Sequence, residues 1–469
     1  MRLIAPVLAT AAALLAVGDA APSGPEENRA TDVRLMTLDP GHFHASLVQK
    51  EMYPGVATKV DVYAPLGSDL IEHLTRISRF NARSENPTAW QLEVHAGPDF
   101  LGRMLEQRPG NVVVLSGRNR GKIGRIQACL DGGLHVLADK PWILEAADLP
   151  ELERALATAD ARGLVAYDIM TERFEVTTEL QRELVNDKGS FGALTAGSER
   201  EPAVYMESVH HLKKVVAGAP NMRPVWFFDA EEQGEGVNDI GAHLVDLVQW
   251  TLFPEQAIDH RKDLQVLAAQ RWPTLIPVSE FRQVTGAGFP DSFKPRVKTD
   301  VLEYFCNSLV SYRLRGTHVK LNVIWDWEAP HGDTHFAYYR GSLSKVEVRQ
   351  GAKERYRPEL YVVPATAAEK PAVQAAVTRK IASVQARFPK TSVSDLGAEL
   401  RIDIPEALRV SHEEHFAQVT QRFLQYVRDR RTLPAWEHPN MIAKYAVTTQ
   451  GVALARKRPP EPAPRIAPH

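Results

Sequence analysis

From residue 33 onward the chain alternates short, almost wholly apolar runs with longer stretches whose apolar residues recur every three or four positions. Val33 to Leu38 reads as a buried strand, and Phe43 to Met52 as the helix after it. The alternation continues through Lys59–Tyr63 and Asp69–Arg79, Gln91–His95 and Pro98–Gln107, then Asn111–Leu115 and Lys122–Asp131. Leu134–Ala138, Ala146–Arg162 and Gly163–Ile169 complete it. A parallel strand covered on both faces is apolar throughout, whereas its crossover helix shows one apolar stripe, so this pattern predicts βαβ units. The expected class is α/β: a doubly wound parallel sheet over residues 31–172, with ligands outside the carboxyl ends of its strands.

From Leu194 the apolar runs lengthen and lose their helices. Val301–Arg313, Val319–Trp327, His335–Tyr339 and Lys345–Arg349 read as consecutive antiparallel strands, with turns at Arg315-Gly316-Thr317 and Arg340-Gly341-Ser342. Helical periodicity returns over Thr366–Arg387, Glu406–Arg428 and Tyr445–Arg456. Residues 173–456 are therefore expected to form an α+β domain with a large, mostly antiparallel sheet. The basic, Pro-rich stretch 457–469 has the composition of a disordered tail.

The first twenty residues follow another logic. Arg2 precedes an uncharged apolar run, Leu3 to Val17, that ends in Gly18-Asp19-Ala20-Ala21. A basic start, a short apolar core and a small-residue cleavage region predict a secretory signal over residues 1–20 and an exported, periplasmic or secreted protein. The run is shorter than the roughly 20 residues a spanning helix needs, so no stable membrane anchor is expected. An uncleaved anchor is the alternative. No Cys follows for lipid attachment, and no Arg-Arg pair precedes, as export of a cofactor-loaded protein would require.

Composition narrows the partners. The chain has 469 residues, 44% of them apolar and 24% charged, an ordinary globular balance. Its 56 Lys and Arg against 58 Asp and Glu leave a net charge of −2, so no basic field recruits nucleic acid. The two cysteines, Cys129 and Cys306, allow one disulfide at most and no four-thiolate zinc site.

Three constellations carry chemistry. Asp39-Pro40-Gly41-His42-Phe43-His44 lies between the first strand and its helix, where a dinucleotide fold keeps its G-x-G-x-x-G loop. Gly41 holds the middle position, while Asp39 and His44 stand where the outer glycines would be. The second strand ends Val62-Tyr63-Ala64-Pro65 without the acid that grips a ribose, which leaves NAD and NADP both open. An ordinary βα turn, or half of a metal site from His42 and His44, are the other readings, and no complete metal site is assigned. Second, Ser116-Gly117-Arg118-Asn119 and Asp139-Lys140-Pro141 follow the fourth and fifth strands. A solvated lysine is the ordinary reading of Lys140, but at a strand end it can aim an ammonium at a ligand. Third, in Gly234 to Trp250 a helical projection places Asp239, His243, Asp246 and Trp250 within roughly 60° of one another, beside the apolar stripe Ile240, Leu244, Leu247. Such a His is either satisfied by Asp at i−4 or tuned by carboxylates for proton transfer.

In this order and spacing the motifs resemble the glucose-fructose oxidoreductase, inositol dehydrogenase and rhizopine-catabolism (Gfo/Idh/MocA) family. The match runs through the Gly-containing turn, the strand-end Lys140-Pro141 and Gly-x-Gly…Asp-x-Gly-x-His-x-x-Asp. Asp139 replaces the family's Glu before Lys-Pro, and Lys122 stands where many members have His. The resemblance implies a Rossmann domain followed by a sheet domain that supplies the catalytic helix. It also implies NAD or NADP, including the tightly bound form, and frequent homo-oligomers. Carried over, Lys140 touches the reacting hydroxyl, His243 is the acid/base, and Asp239 positions substrate or His243. Gly41, His42, Phe43, Ser116, Asn119, Asp139, Lys140 and Arg173 are the expected cofactor contacts, Arg173 lying beside nicotinamide or substrate.

The implied reaction is oxidation of a sugar, polyol or glycoside hydroxyl, for which a chain without a hydride acceptor needs a cofactor. Trp325, Trp327, His331, Asp333 and His335 are candidates to line a carbohydrate site, the three polar residues sharing a face if extended. A solvated turn is the alternative there. Two other functions stay open: a glycoside hydrolase or lyase using tightly held NAD for transient oxidation, and a non-catalytic carbohydrate-binding protein on a decayed Rossmann scaffold. His412-Glu413-Glu414-His415 spaces its histidines i, i+3, unlike H-E-x-x-H, and no G-x-S-x-G occurs.

Overall fold

The computed structural model describes residues 33–216, 219–329 and 331–459; the apolar leader, the linker after it and the tail from residue 460 lie outside them. The first apolar runs become six parallel strands: β1 (Leu35–Leu38), β2 (Lys59–Ala64), β3 (Gln91–Ala96), β4 (Val112–Leu115), β5 (His135–Ala138) and β6 (Ala166–Asp168). Between them lie α1 (His44–Val48), α2 (Ser68–Ala82), α3 (Phe100–Gln107), α4 (Lys122–Asp131) and α5 (Leu149–Ala161). The order is β3-β2-β1-β4-β5-β6, so the winding reverses between β1 and β4, and the crevice opens at their carboxyl ends.

One expected element is much shorter. The helix expected over Phe43–Met52 ends at Val48, because Tyr53 donates to Val48 O at 2.8 Å and the Trp90 indole to Gln49 O at 2.7 Å. Side chains thus satisfy carbonyls that a longer helix would have used.

The second part contains α6 (Val176–Val185), β7 (Val204–His211), β8 (Val215–Val216), β9 (Ala219–Pro220), α7 (Gly236–Leu252), β10 (Leu264–Pro277) and α8 (Val278–Thr285). Next come β11 (Val297–Lys298), β12 (Val301–Leu314), β13 (Thr317–Asp326), β14 (Thr334–Arg340), β15 (Ser344–Gln350) and β16 (Glu359–Pro364). After α9 (Lys370–Ser383) follow β17 (Ser392–Asp395), β18 (Leu400–Asp403), α10 (His412–Arg428) and α11 (Glu437–Arg456). The ten-stranded sheet runs β10-β12-β13-β7-β14-β15-β16-β18-β17, with β11 beside β12. The four strands expected to be consecutive neighbours are therefore split. β7 lies between β13 and β14, parallel to the first and antiparallel to the second.

α7 joins the layers. Its apolar side, with Val237, Leu244, Val245 and Val248, packs on the large sheet against residues such as Met206, Val310 and Val323. The C-terminal helices return to the first sheet: Met441 and Tyr445 of α11 enter its core on one face, and Phe416, Val419 and Phe423 of α10 on the other. Both cysteines are buried and unpaired. Among the described residues, no helix is long and apolar enough to cross a membrane.

Candidate active site

The β1–α1 loop makes its tight turn without the expected first glycine. Asp39 itself adopts φ +48°, a left-handed conformation that Asp tolerates better than most residues. Gly41 is required by space: a Cβ there would come within 3.0 Å of the Trp226 indole and of Asp69 Oδ2. Gly117, after β4, is required more strictly, since its Cβ would overlap Asp39 at 2.1 Å. The two loops bordering the crevice thus lie in direct contact.

At the end of β5 neighbouring side chains have different partners. Asp139 meets the β1–α1 segment, 3.2 Å from His44 Nδ1 and 3.5 Å from His42 Nδ1, with Ser116 Oγ at 3.1 Å. The fully buried Lys122 ammonium donates to its other oxygen. Burial alone would raise the Asp139 carboxyl; Lys122 and the two imidazoles override that and hold it well below the usual range. Burial lowers both His42 and His44, so both rest neutral. Lys140 instead donates to Asp239 of α7. Burial raises the Asp239 carboxyl and the Lys140 ammonium outweighs it, leaving it at about 2.

His243 lies one turn further along α7, but among the described residues no carboxylate pairs with it. Asp239 is held by Lys140, and Asp246 by Arg173 and Lys444. The His243 Nδ1 is buried without a hydrogen-bond partner. Burial first, and the Lys140 charge second, push the imidazole down to about 3. The expected carboxylate-tuned His is therefore a neutral imidazole beside a Lys–Asp pair.

Two expected cofactor contacts are engaged elsewhere. Arg173 bonds Asp246 at 2.6 and 2.7 Å and Glu437 at 2.8 and 3.1 Å, which leaves its guanidinium no free edge toward a nicotinamide. Asn119 donates to Gln233 O at 2.7 Å, and its own N–H bonds Glu232 O, so the segment before α7 covers the β4 loop. Of the candidate sugar-site residues, Asp333 accepts from His210 and His211, each at 3.0 Å, and from Lys214 at 3.1 Å. His210 lies 5.1 Å from the Trp325 ring, and both His210 and Lys214 feel the Asp239 charge. His331 packs instead on Tyr356, and Trp327 joins the core. Of the three polar residues only His331 is set apart: Asp333 bonds His210, and His335 lies within electrostatic range of the same imidazole. Sequence reasoning passed over His210, Lys214 and Glu172; the adjacent pair His210-His211 was the one available signal. Glu172 lies 3.3 Å from His412 and within electrostatic range of His243.

Along the β1 and β2 side of the crevice runs a cleft of about 110 Å³ bordered by Gly41, His42, Asp69, His73, Arg76 and Arg223. It stops short of Lys140 and His243, which are buried but keep a small exposed fraction. Among the described residues Arg76 has no carboxylate partner; it donates to Asn221 at 3.3 Å. A glycine at the loop's middle, a cleft beside it and an uncompensated guanidinium fit the nucleotide half of a dinucleotide.

A six-stranded 3-2-1-4-5-6 sheet, a strand-end lysine and a histidine helix packed on a second, mixed sheet define an oxidoreductase fold. Residues 180–456 match the family described as "Putative oxidoreductase C terminal domain", and the chain belongs to this Gfo/Idh/MocA-type oxidoreductase family. A solved structure described as a "putative oxidoreductase" from Parabacteroides merdae is 45% identical, covers 92% of this chain and 99% of its own, and superposes with a TM-score of 0.88. Two more distant structures share the fold. GenD2 from gentamicin A biosynthesis, in complex with NAD, has 14% identity and TM-score 0.53 over 92% of this chain and 97% of its own. KijD10, a 3-ketoreductase from Actinomadura kijaniata with NADP and TDP-benzene, has 15% identity and TM-score 0.51 over 88% and 94%. No curated protein matches.

Proposed function

We propose that the protein is an exported NAD(P)-dependent oxidoreductase that acts on a hydroxyl of a sugar, polyol or glycoside. Residues 31–172 are its cofactor domain and 173–456 its substrate domain. The observation that carries this reading is the Lys140–Asp239 pair, which ties the carboxyl end of β5 to the helix bearing His243. The pair places an ammonium and a neutral imidazole at one junction of the two sheets.

A nicotinamide, when bound, supplies the hydride acceptor. Gly41, His42, Phe43, Asp69, Arg76 and Ser116 are the residues that would hold it. In the oxidising direction the neutral His243 accepts the hydroxyl proton. Lys140 faces the developing alkoxide, and an oriented cation there contributes about 3 kcal/mol, by analogy with oxyanion-hole donors. The alkoxide also offsets the Lys140 field that helps hold His243 down, so the imidazole becomes a better base as the proton leaves. Asp239 keeps the ammonium oriented. His210, Lys214 and Trp325 offer donors and an aromatic face suited to a sugar ring.

Export rests on the segment Arg2–Ala20, and a homo-oligomer on the large sheet's face away from α7, where the rings of Tyr205, Phe336 and Tyr338 meet. Sequencing the amino terminus of protein from the cell envelope tests the first, with Ala21 expected. Light scattering tests the second. For the chemistry, Lys140→Met and His243→Ala are each expected to abolish turnover while leaving nicotinamide titration unchanged. Full activity in either removes that residue from the reading.

A further inference from the structure

We propose that His42, His44 and Asp139 form a binding site for one divalent ion of the zinc type, where the carboxyl end of β5 meets the β1–α1 loop. Nothing in the proposed oxidoreductase chemistry uses such an ion, although His42 and Ser116 also belong to the residues that would hold the cofactor.

The first support is geometric. The two Nδ1 atoms and one Asp139 oxygen all lie within 4.8 Å of one another. The carboxylate oxygen is 3.2 Å from one nitrogen and 3.5 Å from the other. Donors bound tetrahedrally at about 2.0–2.2 Å stand about 3.3–3.5 Å apart, so one ion fits among these three with little movement. The second support is an atom left unsatisfied. His42 Nδ1 is buried and has no hydrogen-bond partner, and at 3.5 Å its approach to Asp139 is too long for a good hydrogen bond. The two imidazoles meet edge to face with centroids 3.9 Å apart, which aims both nitrogens at the same carboxylate.

The donor set is also of the right kind. Two imidazoles and one carboxylate suit zinc and its first-row neighbours, whereas magnesium and calcium call for oxygen donors. Ser116 and Lys122 hold the carboxylate from outside, as partners of metal ligands do. The Lys122 ammonium opposes a cation electrostatically, so an exchangeable ion is expected rather than a permanent structural one. Three protein ligands leave a fourth position for water or another ligand. The group Asp61, Glu93 and His95 on β2 and β3 is a weaker candidate. There His95 bonds Asp61 more closely, at 2.9 Å against the 3.2 Å of His44 and Asp139, and the exposed Glu93 is paired with Lys59.

The test needs no turnover. Untagged full-length protein, stripped with chelator, is titrated with Co²⁺ and followed by its visible d–d bands, then with Zn²⁺ as competitor. One Co²⁺ per chain, displaced by Zn²⁺, is expected. His42→Ala and His44→Ala should each weaken binding at least about tenfold, and His95→Ala should leave it unchanged. Circular dichroism and thermal melting show that the variants are folded, and the two independent His variants keep the test valid if one is not. Absence of cobalt bands in the wild type, binding unchanged in the folded His variants, or loss in His95→Ala would overturn the site.

Discussion

Arg173 and Asp246 meet side-on, Nε to Oδ2 at 2.6 Å and Nη2 to Oδ1 at 2.7 Å, while the remaining edge of the guanidinium takes Glu437. This links the segment after β6 to α7 and α11. All three groups are buried. Arg173→Met would leave Glu437 without its cation and Asp246 with only Lys444 at 3.6 Å, and breaking such a buried pair costs about 3–5 kcal/mol. Denaturant unfolding should show that loss, with nicotinamide affinity of the folded protein unchanged. Weakened affinity at full stability would return Arg173 to the cofactor site.

Acid should destabilise the fold well above the range where carboxylates titrate. Burial holds His73 and His243 at about 3 and His415 at about 4, against an ordinary 6.5. Between those values and 6.5 the unfolded chain takes up protons that the folded chain refuses, so stability falls as pH falls. Each fully buried histidine contributes on the order of a few kcal/mol to that slope. Melting temperature should be flat above about pH 7 and decline from about 6.5 toward 4. His73, whose two ring nitrogens are buried without partners, borders the nucleotide cleft but lies away from Lys140 and His243. His73→Leu should flatten the decline, and an unchanged slope would remove His73 from this account.

Gly236 begins α7 against β12, where a Cβ would come within 2.0 Å of Cys306 O. A backbone atom cannot rotate aside, so Gly236→Ala must shift the helix that carries Asp239 and His243. Overpacking of this kind costs about 1–3 kcal/mol. The variant should melt lower and lose activity well beyond its loss of folded fraction. Wild-type turnover in it would show that the helix position is not critical.

Much of the first sheet was legible because parallel strands under helices are apolar throughout, and β4 with α4 shows this cleanly. The large sheet was less legible. β7 sits between β13 and β14 through pairings distant in the chain, and β10 is interrupted by irregularities near Ala268 and Thr274 that break its alternation. In the site, Lys140 and His243 were visible as a strand-end cation and a helix histidine. What joined them was not, since Lys140 and Asp239 are 99 residues apart. The same distance effect concealed Asp139 as the third group beside His42 and His44. It also made Asp246 read as a tuning partner for His243 when its real partner is Arg173.

The most direct measurement of the central claim is the near-ultraviolet absorbance of reduced nicotinamide, followed in a single turnover as the loaded protein meets a panel of sugars and glycosides. Wild type should show the signal with at least one of them. Lys140→Met and His243→Ala should show none while binding the cofactor normally. A signal of equal rate in both variants, or a wild type that neither binds nicotinamide nor reduces it with any sugar, would contradict the account.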